Sequence, residues 1–517
     1  MTTPREIELK LECEVADLAA LANHPLLRAD GTPEAVVLTS TYFDTAKGDL
    51  RKGGLTLRVR REGDRRIQTV KAASASAGLF DRAEWESDIA GETPDLAVLA
   101  ETPVPALLAA ASKADLVPVF TTVVDRTTRL VVHGASLISA TLDQGRIETP
   151  EGDVPLCEVE LELDEGSPAD LFGLAQVLAQ TVPLRLGALS KSARGWSLVD
   201  GTLRKSSKAG AVRLNPDATA GEAFRAVAQA CLHHLRLNED VFLHGRHPEG
   251  LHQIRVALRR LRSALTLFKP ILAPDPTAAQ LRDEIKRVTE PFGRARNLDV
   301  FLETTLPAEL EKRPDEAGLL DLRTRLEAER DRAHDAVIAT LESPAWRSLI
   351  LDVAAWIETG AWRTEGDAQG DGPARDAPAA EFAADILDRI RGRIRKRGRH
   401  LERLDAEARH RVRIEGKKLR YGAEFFASLY TDKKPHRRHK AFVQAVSELQ
   451  DHLGALNDMA TAHEVLASLA TEGSTIPAPT LFAAGLTAGD NEVETKALLG
   501  KAADAHADLV DLKPFWR

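Results

Sequence analysis

A two-part α+β chain is predicted, with an amino-terminal β-rich domain whose sheet suits closure into a barrel and a carboxy-terminal half that is all helical. Three observations predict it. Up to about residue 200 apolar positions recur with a period of two; from about residue 215 the period becomes 3.6; and the helical half repeats its own motif. At 517 residues the chain exceeds what one hydrophobic core organises, so two or three domains are expected.

The strand signal begins at "EIELK", where period two puts Glu6, Glu8 and Lys10 on one face and Ile7, Leu9 and Leu11 on the other. Alternation continues in "LTLRVRR", "RRIQTVKA", "DRAEWESDI", "TTRLVVHG", "SLISATLDQG" and "LCEVELEL", broken by Gly, Asp and Pro turns. "DLFGLAQVLAQTV", following "GSP", has helical spacing instead. The small, polar stretch 204–216 reads as a linker between domains at 1–203 and 217–510. Helical periodicity then runs through "AFRAVAQACLHHLRLNEDVFL", "LHQIRVALRRLRSALTLF" and "HKAFVQAVSELQDHLGALNDM". "TEGDAQGDGPARDAPAAE" (364–381) reads as a disordered insertion between repeats at about 217–345 and 380–510.

Composition narrows the function classes. No apolar run approaches the roughly 20 residues of a membrane span, and the first residues carry acids where a signal peptide has an apolar core. A soluble, cytoplasmic protein is expected. Cys13, Cys157 and Cys231 lack metal-ligand spacing, which argues for plain buried thiols in a reducing compartment. A net charge of −9 disfavours polyanion partners on average, yet the 69 Lys and Arg residues are segregated.

In the first half nearly every strand has one charged face. It carries Arg58 and Arg60, Lys71, Arg82 with Glu84 and Glu86, Arg126 and less clearly Arg129, Asp143, and Glu158, Glu160 and Glu162. A solvated sheet surface is the plain reading. The run of arginines and acidic doublets supports a different one, a closed sheet with those faces inward. Such a lumen is electrostatically costly when empty, and a metal-complexed polyphosphate relieves it: Arg and Lys hold phosphate oxygens, while carboxylates hold Mg²⁺ or Mn²⁺.

The ExExK start, "YFDT" at Tyr42 to Thr45, the LRxR strand, the late E-x-E-x-E strand and "LSKSARGW" together resemble the CYTH family, the triphosphate tunnel metalloenzymes, over about residues 4–200. The resemblance implies an eight-stranded antiparallel tunnel barrel with flanking helices, dependence on Mg²⁺ or Mn²⁺, and hydrolysis of inorganic triphosphate. Carried over by position, Glu6, Glu8, Asp143, Glu158 and Glu160 resemble the metal set. Lys10, Arg58, Arg60, Lys71, Arg126, Lys191 and Arg194 resemble the phosphate-binding set, with Glu6, Glu8, Lys10 and Lys191 closest to the chemistry. Glu162 is an additional metal candidate, and the roles of Arg82, Glu84 and Glu86 are open. Thiamine triphosphatase and adenylyl cyclase activities are alternatives on the same scaffold, as is a non-catalytic polyphosphate-associated scaffold.

In the helical half, "HQIRVALRRLRSALTLF" (252–268) aligns with "HRVRIEGKKLRYGAEFF" (410–426). His252, Arg255, Arg259 and Arg262 fall opposite His410, Arg413, Lys417 and Arg420, at a spacing that places each set on one helix stripe. "FGRARNLDVF" corresponds to "LGALNDMATA", and "RIRGRIRKRGRH" adds positive charge ahead of the second stripe. One basic stripe is ordinarily a solvated face; two at the same offsets call for a polyanion. Few aromatics interleave with the stripes, so specific nucleic acid is not expected. The pattern resembles the CHAD domain over roughly 215–510, a duplicated helical bundle, which implies inorganic polyphosphate as partner and a place on polyphosphate granules. Arg296-Asn297 and Asn457-Asp458 depart from that domain's usual motif, leaving their roles open. The expected partners are therefore inorganic triphosphate and inorganic polyphosphate, with no membrane and an undetermined oligomeric state.

Overall fold

The computed structural model describes residues 5–27, 35–72, 77–110, 115–364, 374–471 and 476–517. Two compact units emerge: Met1–Ser207 with Leu232–His244 and Glu342–Gly360, and Lys208–Cys231 with Gly245–Leu341 and Ala361–Arg517.

The first unit is built on β1 (Arg5–Glu12), β2 (Ala35–Thr45), β3 (Leu55–Glu62), β4 (Arg65–Ala72), β5 (Leu79–Asp88), β6 (Leu116–His133), β7 (Ser136–Thr149) and β8 (Gly152–Glu165). Neighbours are antiparallel in the order β5-β4-β3-β2-β6-β7-β8-β1, and β1 pairs again with β5, closing the expected eight-stranded barrel. A two-residue strand not anticipated from the sequence, β9 (Arg185–Leu186), pairs with β1 beyond its β8 partner. The tight turn from β3 to β4 uses Gly63 at φ +57°, a conformation that costs a residue without Cβ nothing.

Because side chains alternate, closure sends one parity of every strand inward and the apolar parity outward. Outside, Phe43, Leu55, Leu57, Val59 and Val70 pack with Leu50, Leu99 and Val104 from short helices; a second cluster joins the lumen-lining Tyr42 to Phe120, Ile147 and Trp196 of the helix Lys191–Val199. The helix Pro168–Leu178 starts at Ser167, whose Oγ accepts from Ala169 N. The segment Leu232–His244 is tied to the barrel by Arg236 Nε donating to Leu186 O at 2.8 Å and by an Arg185–Glu239 pair at 2.6 Å.

The second unit is helical throughout its regular elements. Helices Pro248–Leu267 and Ala406–Phe425, which carry the two basic stripes, are joined by Arg259 Nε donating to Tyr421 Oη at 2.9 Å and by an Arg260–Glu424 ion pair. Of the stretch 364–381 expected to be disordered, residues 365–373 lie outside the described residues. Residues 379–381 instead open the helix Ala379–Arg397, where Ala379 is fully buried and its N–H donates to Ala218 O at 2.8 Å, so packing orders the end of that stretch. Among the described residues no helix is long and apolar enough to cross a membrane.

Candidate functional site

The inward parity of the barrel strands assembles a charged cavity of about 270 Å³. β1 supplies Glu6, Glu8 and Lys10; β3 supplies Arg58 and Arg60; β4 supplies Lys71; β5 supplies Arg82, Glu84 and Glu86; β6 supplies Arg126; and β8 supplies Glu160 and Glu162. Lys191 enters from the first turn of the helix Lys191–Val199, whose cap Ser190 accepts from Ala193 N at 3.2 Å and also lines the cavity. Glu6, Glu8 and Lys10 of the "EIELK" stretch alternate because all three face the lumen.

Two charge networks meet at the cavity, with Lys10 Nζ 4.0 Å from Glu8 Oε1 between them; Asp143 and Glu158 of the second are not among the lining residues. In the first, Lys71 Nζ donates to Glu6 Oε1 at 2.6 Å, and Arg82 bridges Glu6 at 3.1 Å and Glu8 at 2.9 Å. Burial pushes the Glu6 carboxyl up, but Lys71 and Arg82 more than offset it and hold the pKa at about 2. Lys71 also lies 3.0 Å from Glu84. Among the described residues Glu162 has no such close cation: burial first, and then Glu6, Glu8 and Glu84, push it up to about 7 against the pull of Lys71.

In the second network, Asp143, Glu158 and Glu160 each place a carboxylate oxygen within 4.8 Å of the others. Asp143 and Glu158 are wholly buried. Lys10 Nζ donates to Glu158 at 2.8 Å and to Glu160; Lys191 Nζ contacts Asp143 at 2.7 Å, Glu160 at 2.9 Å and Glu158; Arg126 reaches both Asp143 and Glu160. Burial disfavours the Lys10 and Lys191 ammoniums, yet the facing carboxylates outweigh it and raise both above the usual lysine range. The same contacts hold Asp143 and Glu160 below the usual carboxylate range despite burial. Glu158 Oε2 is buried without a hydrogen-bond partner among the described residues. An all-oxygen donor set with an unused buried oxygen suits a hard divalent cation.

The structure therefore gathers Asp143, Glu158 and Glu160 into one acidic cluster and places Glu6 and Glu8 in the other network. Arg194 stands apart from the lumen; it donates to Glu12 at 2.7 Å and lines a separate cavity. Arg82 had a signal in the sequence, its parity with Glu84 and Glu86, but its pairing with Glu6 and Glu8 depends on which strand closes the barrel. Arg58 and Arg60 line the cavity with buried Nε atoms that have no partner among the described residues.

In the helical unit, Arg259 from one stripe meets Arg413 and Lys417 from the other, with Arg255 beside Arg259 and Arg420 beside Lys417. Burial, then Arg259 and Arg413, depress Lys417 to about 7, and burial, then Arg259 and Arg296, depress Arg255 to about 10. Arg413 Nη1 donates to Asn457 Oδ1 at 2.7 Å, and Asp458, raised by burial, faces Arg413 and Lys417. Burial and the Arg296 charge also lower His252. Arg262 and His410 are exposed, and His410 lines a cavity with Arg413, Asn457, Leu453 and Leu456. Within the run 389–400, Arg393 and Arg397 pair with buried Glu415, and Arg391 donates to the carbonyls of Val510 and Leu512.

Residues 4–196 match the CYTH domain and residues 226–467 match the CHAD domain. The chain is similar to an inorganic triphosphatase of Haemophilus influenzae, 33% identical over 164 residues, a match covering 31% of this chain and about half (46%) of the length of that curated relative. It is also similar to the crystal structure of the CHAD domain from the plant Ricinus communis, 32% identical with a TM-score of 0.51, covering 59% of this chain and 97% of that one. On a closed charged barrel and a helical unit that each find their match, the chain belongs to the CHAD family and carries a CYTH domain ahead of its CHAD domain.

Proposed function

We propose that the barrel lumen hydrolyses inorganic triphosphate to pyrophosphate and phosphate with Mg²⁺ or Mn²⁺, and that the helical unit binds inorganic polyphosphate. The observation that carries the first part is the lumen itself: seven Lys and Arg side chains and six carboxylates line one small cavity. A ligand with dense negative charge and an accompanying cation neutralises both sets. The relative named as an inorganic triphosphatase supports the same reading.

Asp143, Glu158 and Glu160 would hold the divalent cation, which when bound neutralises phosphoryl oxygens and acidifies water. Arg58 and Arg60 offer their unpaired Nε donors, with Arg126 and Lys71, to phosphate oxygens. The N-terminus of the helix Lys191–Val199, with Ser190 and Ser192 on the cavity wall, adds a positive dipole end. Water attacks the terminal phosphorus as its bond to the bridging oxygen breaks, and the arginines disperse charge on the departing pyrophosphate. Glu162, near neutrality at about 7, is the lumen carboxylate best matched to receive the proton of that water. No side-chain nucleophile is needed.

The second part rests on the convergence of both basic stripes about Arg259 and Lys417, whose mutual repulsion a phosphate chain relieves. It leads to a cytoplasmic protein associated with polyphosphate granules.

The test is phosphate release from inorganic triphosphate, ATP, thiamine triphosphate and long-chain polyphosphate, each with Mg²⁺ and with Mn²⁺. The highest kcat/KM is expected for inorganic triphosphate. A preference for ATP or thiamine triphosphate would reassign the substrate, and no release with any metal would leave a polyphosphate-binding scaffold.

A further inference from the structure

Cys13 and Cys157 were expected to be isolated buried thiols; instead they face each other across the β1–β8 seam, one step beyond the Glu12/Glu158 register pair. Cys13 N donates to Cys157 O at 3.4 Å, and the two Sγ atoms stand 3.5 Å apart. Directly opposed residues of antiparallel strands have Cα atoms about 4.5 or 5.5 Å apart. Both values fall within the span of about 4.4–6.8 Å that a disulfide bridges.

Access and placement add to this geometry. Both cysteines are half-buried and line a cavity of about 640 Å³ together with Arg194, Arg204 and Arg236, wide enough for a small reagent. Cys231 is fully buried. Cys157 also adjoins Glu158, which accepts from Lys10 at 2.8 Å in the second charge network, and Cys13 adjoins Glu12, which accepts from Arg194 outside the lumen at 2.7 Å.

We propose that Cys13 and Cys157 form a reversible dithiol–disulfide site that fastens the end of β1 to β8, with a low-molecular-weight disulfide of the glutathione type as oxidant. One cysteine, its proton passed to solvent, attacks a sulfur of the reagent, breaks the reagent's S–S bond and releases one thiol. The other cysteine then attacks the mixed disulfide, forms the Cys13–Cys157 bond and releases the second thiol. The protein gives up two electrons and two protons, and the reagent takes up both as two thiols. Closure brings the sulfurs from 3.5 Å to about 2.05 Å. The site stands whether or not the lumen hydrolyses triphosphate.

The test incubates the full-length protein with oxidised glutathione and maps peptides without reduction. A cross-linked peptide pair joining Cys13 to Cys157, lighter by about 2 Da than the two thiol peptides, is expected. The thiol titre of the denatured protein should fall from the three of the sequence to one and recover with dithiothreitol. Cys13→Ser should carry glutathione on Cys157 and no cross-link, whereas Cys231→Ser should behave as the parent protein. Three titratable thiols after oxidation, or cross-links only between chains, would overturn the proposal.

Discussion

Arg126 grips Asp143 through two parallel donors, Nε to Oδ1 at 2.8 Å and Nη2 to Oδ2 at 2.5 Å, and the same Nη2 reaches Glu160 Oε2 at 2.7 Å. A planar fork holds two carboxylates at once, a geometry that an ammonium cannot copy. Arg126→Lys is therefore expected to lower kcat/KM for triphosphate by about 100-fold, the order seen when a positioned charge donor is lost, with an unchanged far-UV circular dichroism spectrum. An unchanged kcat/KM would take Arg126 out of the site.

On the proposed function, the two charge networks would separate metal binding from substrate binding. Glu158→Gln removes a ligand from the acidic cluster and should raise the Mg²⁺ concentration for half-maximal activity by about 10-fold or more, in line with losses on disturbing metal shells. Glu6→Gln, whose parent carboxylate pairs with Lys71 and Arg82, should raise KM and leave the Mg²⁺ requirement within about twofold of the parent. Metal titrations of both variants decide it; an equal shift in metal requirement would put Glu6 among the ligands.

Charge reversal of Arg255, Arg259, Arg413 and Lys417 together should abolish measurable binding of long-chain polyphosphate. In the parent protein, affinity should fall steeply with salt as bound counterions are released. Arg262→Glu, at an exposed position, should change affinity by less than about threefold, the modest effect of an exposed charge. Equal loss in both variants would show that general positive charge, and not the convergence of the stripes, binds the chain.

Polyphosphate binding should strengthen as pH falls from 8 to 6. Lys417, depressed to about 7 by burial, Arg259 and Arg413, gains its proton in that window. A bound anion raises the Lys417 pKa, so complex formation near neutrality should take up protons. For stability the sign is the reverse: the folded state disfavours protonated Lys417, a penalty present in full below about 7 and relieved as pH rises toward the ordinary lysine value. Calorimetry in buffers of different ionisation enthalpy measures the uptake, and Lys417→Met should flatten the pH dependence. A pH-independent affinity in the parent protein would refute this.

Gly145 in β7 approaches β6 so closely that a Cβ would sit 2.0 Å from Val123 O, a backbone atom that cannot swing aside. Gly145→Ala should destabilise the barrel by about 2 kcal/mol or more, the scale of forced overpacking. Denaturant melts check it, and a loss below about 0.5 kcal/mol would mean the strands part freely.

Parity made much of the lumen legible: Glu6, Glu8, Lys10, Arg58, Arg60, Lys71, Arg126 and Glu160 all line the cavity, and Lys191, carried over from the "LSKSARGW" resemblance, joins them from a helix. A side-chain period of two is a local property, so each strand's inward set can be read without knowing its neighbours. The partners were not legible. That Arg82 bridges Glu6 and Glu8 follows from β1 pairing with β5, a contact about 75 residues apart in sequence. Arg194 shows the limit on the other side: a motif position near the lumen side chains whose guanidinium is drawn to Glu12 instead.

The same division holds in the helical unit. Stripe spacing on Pro248–Leu267 and Ala406–Phe425 follows from 3.6 residues per turn, but only the packing of those helices selects Arg255, Arg259, Arg413 and Lys417 for the cluster and leaves Arg262 and His410 at the surface. Local periodicity, a matter of backbone geometry, settled from the sequence alone which residues share a face and which half is strand or helix. Closure of the barrel and docking of the helices, long-range events driven by burial of the apolar faces, decided which charges meet, which carboxylates form the acidic cluster, and that two cysteines far apart in the chain lie side by side.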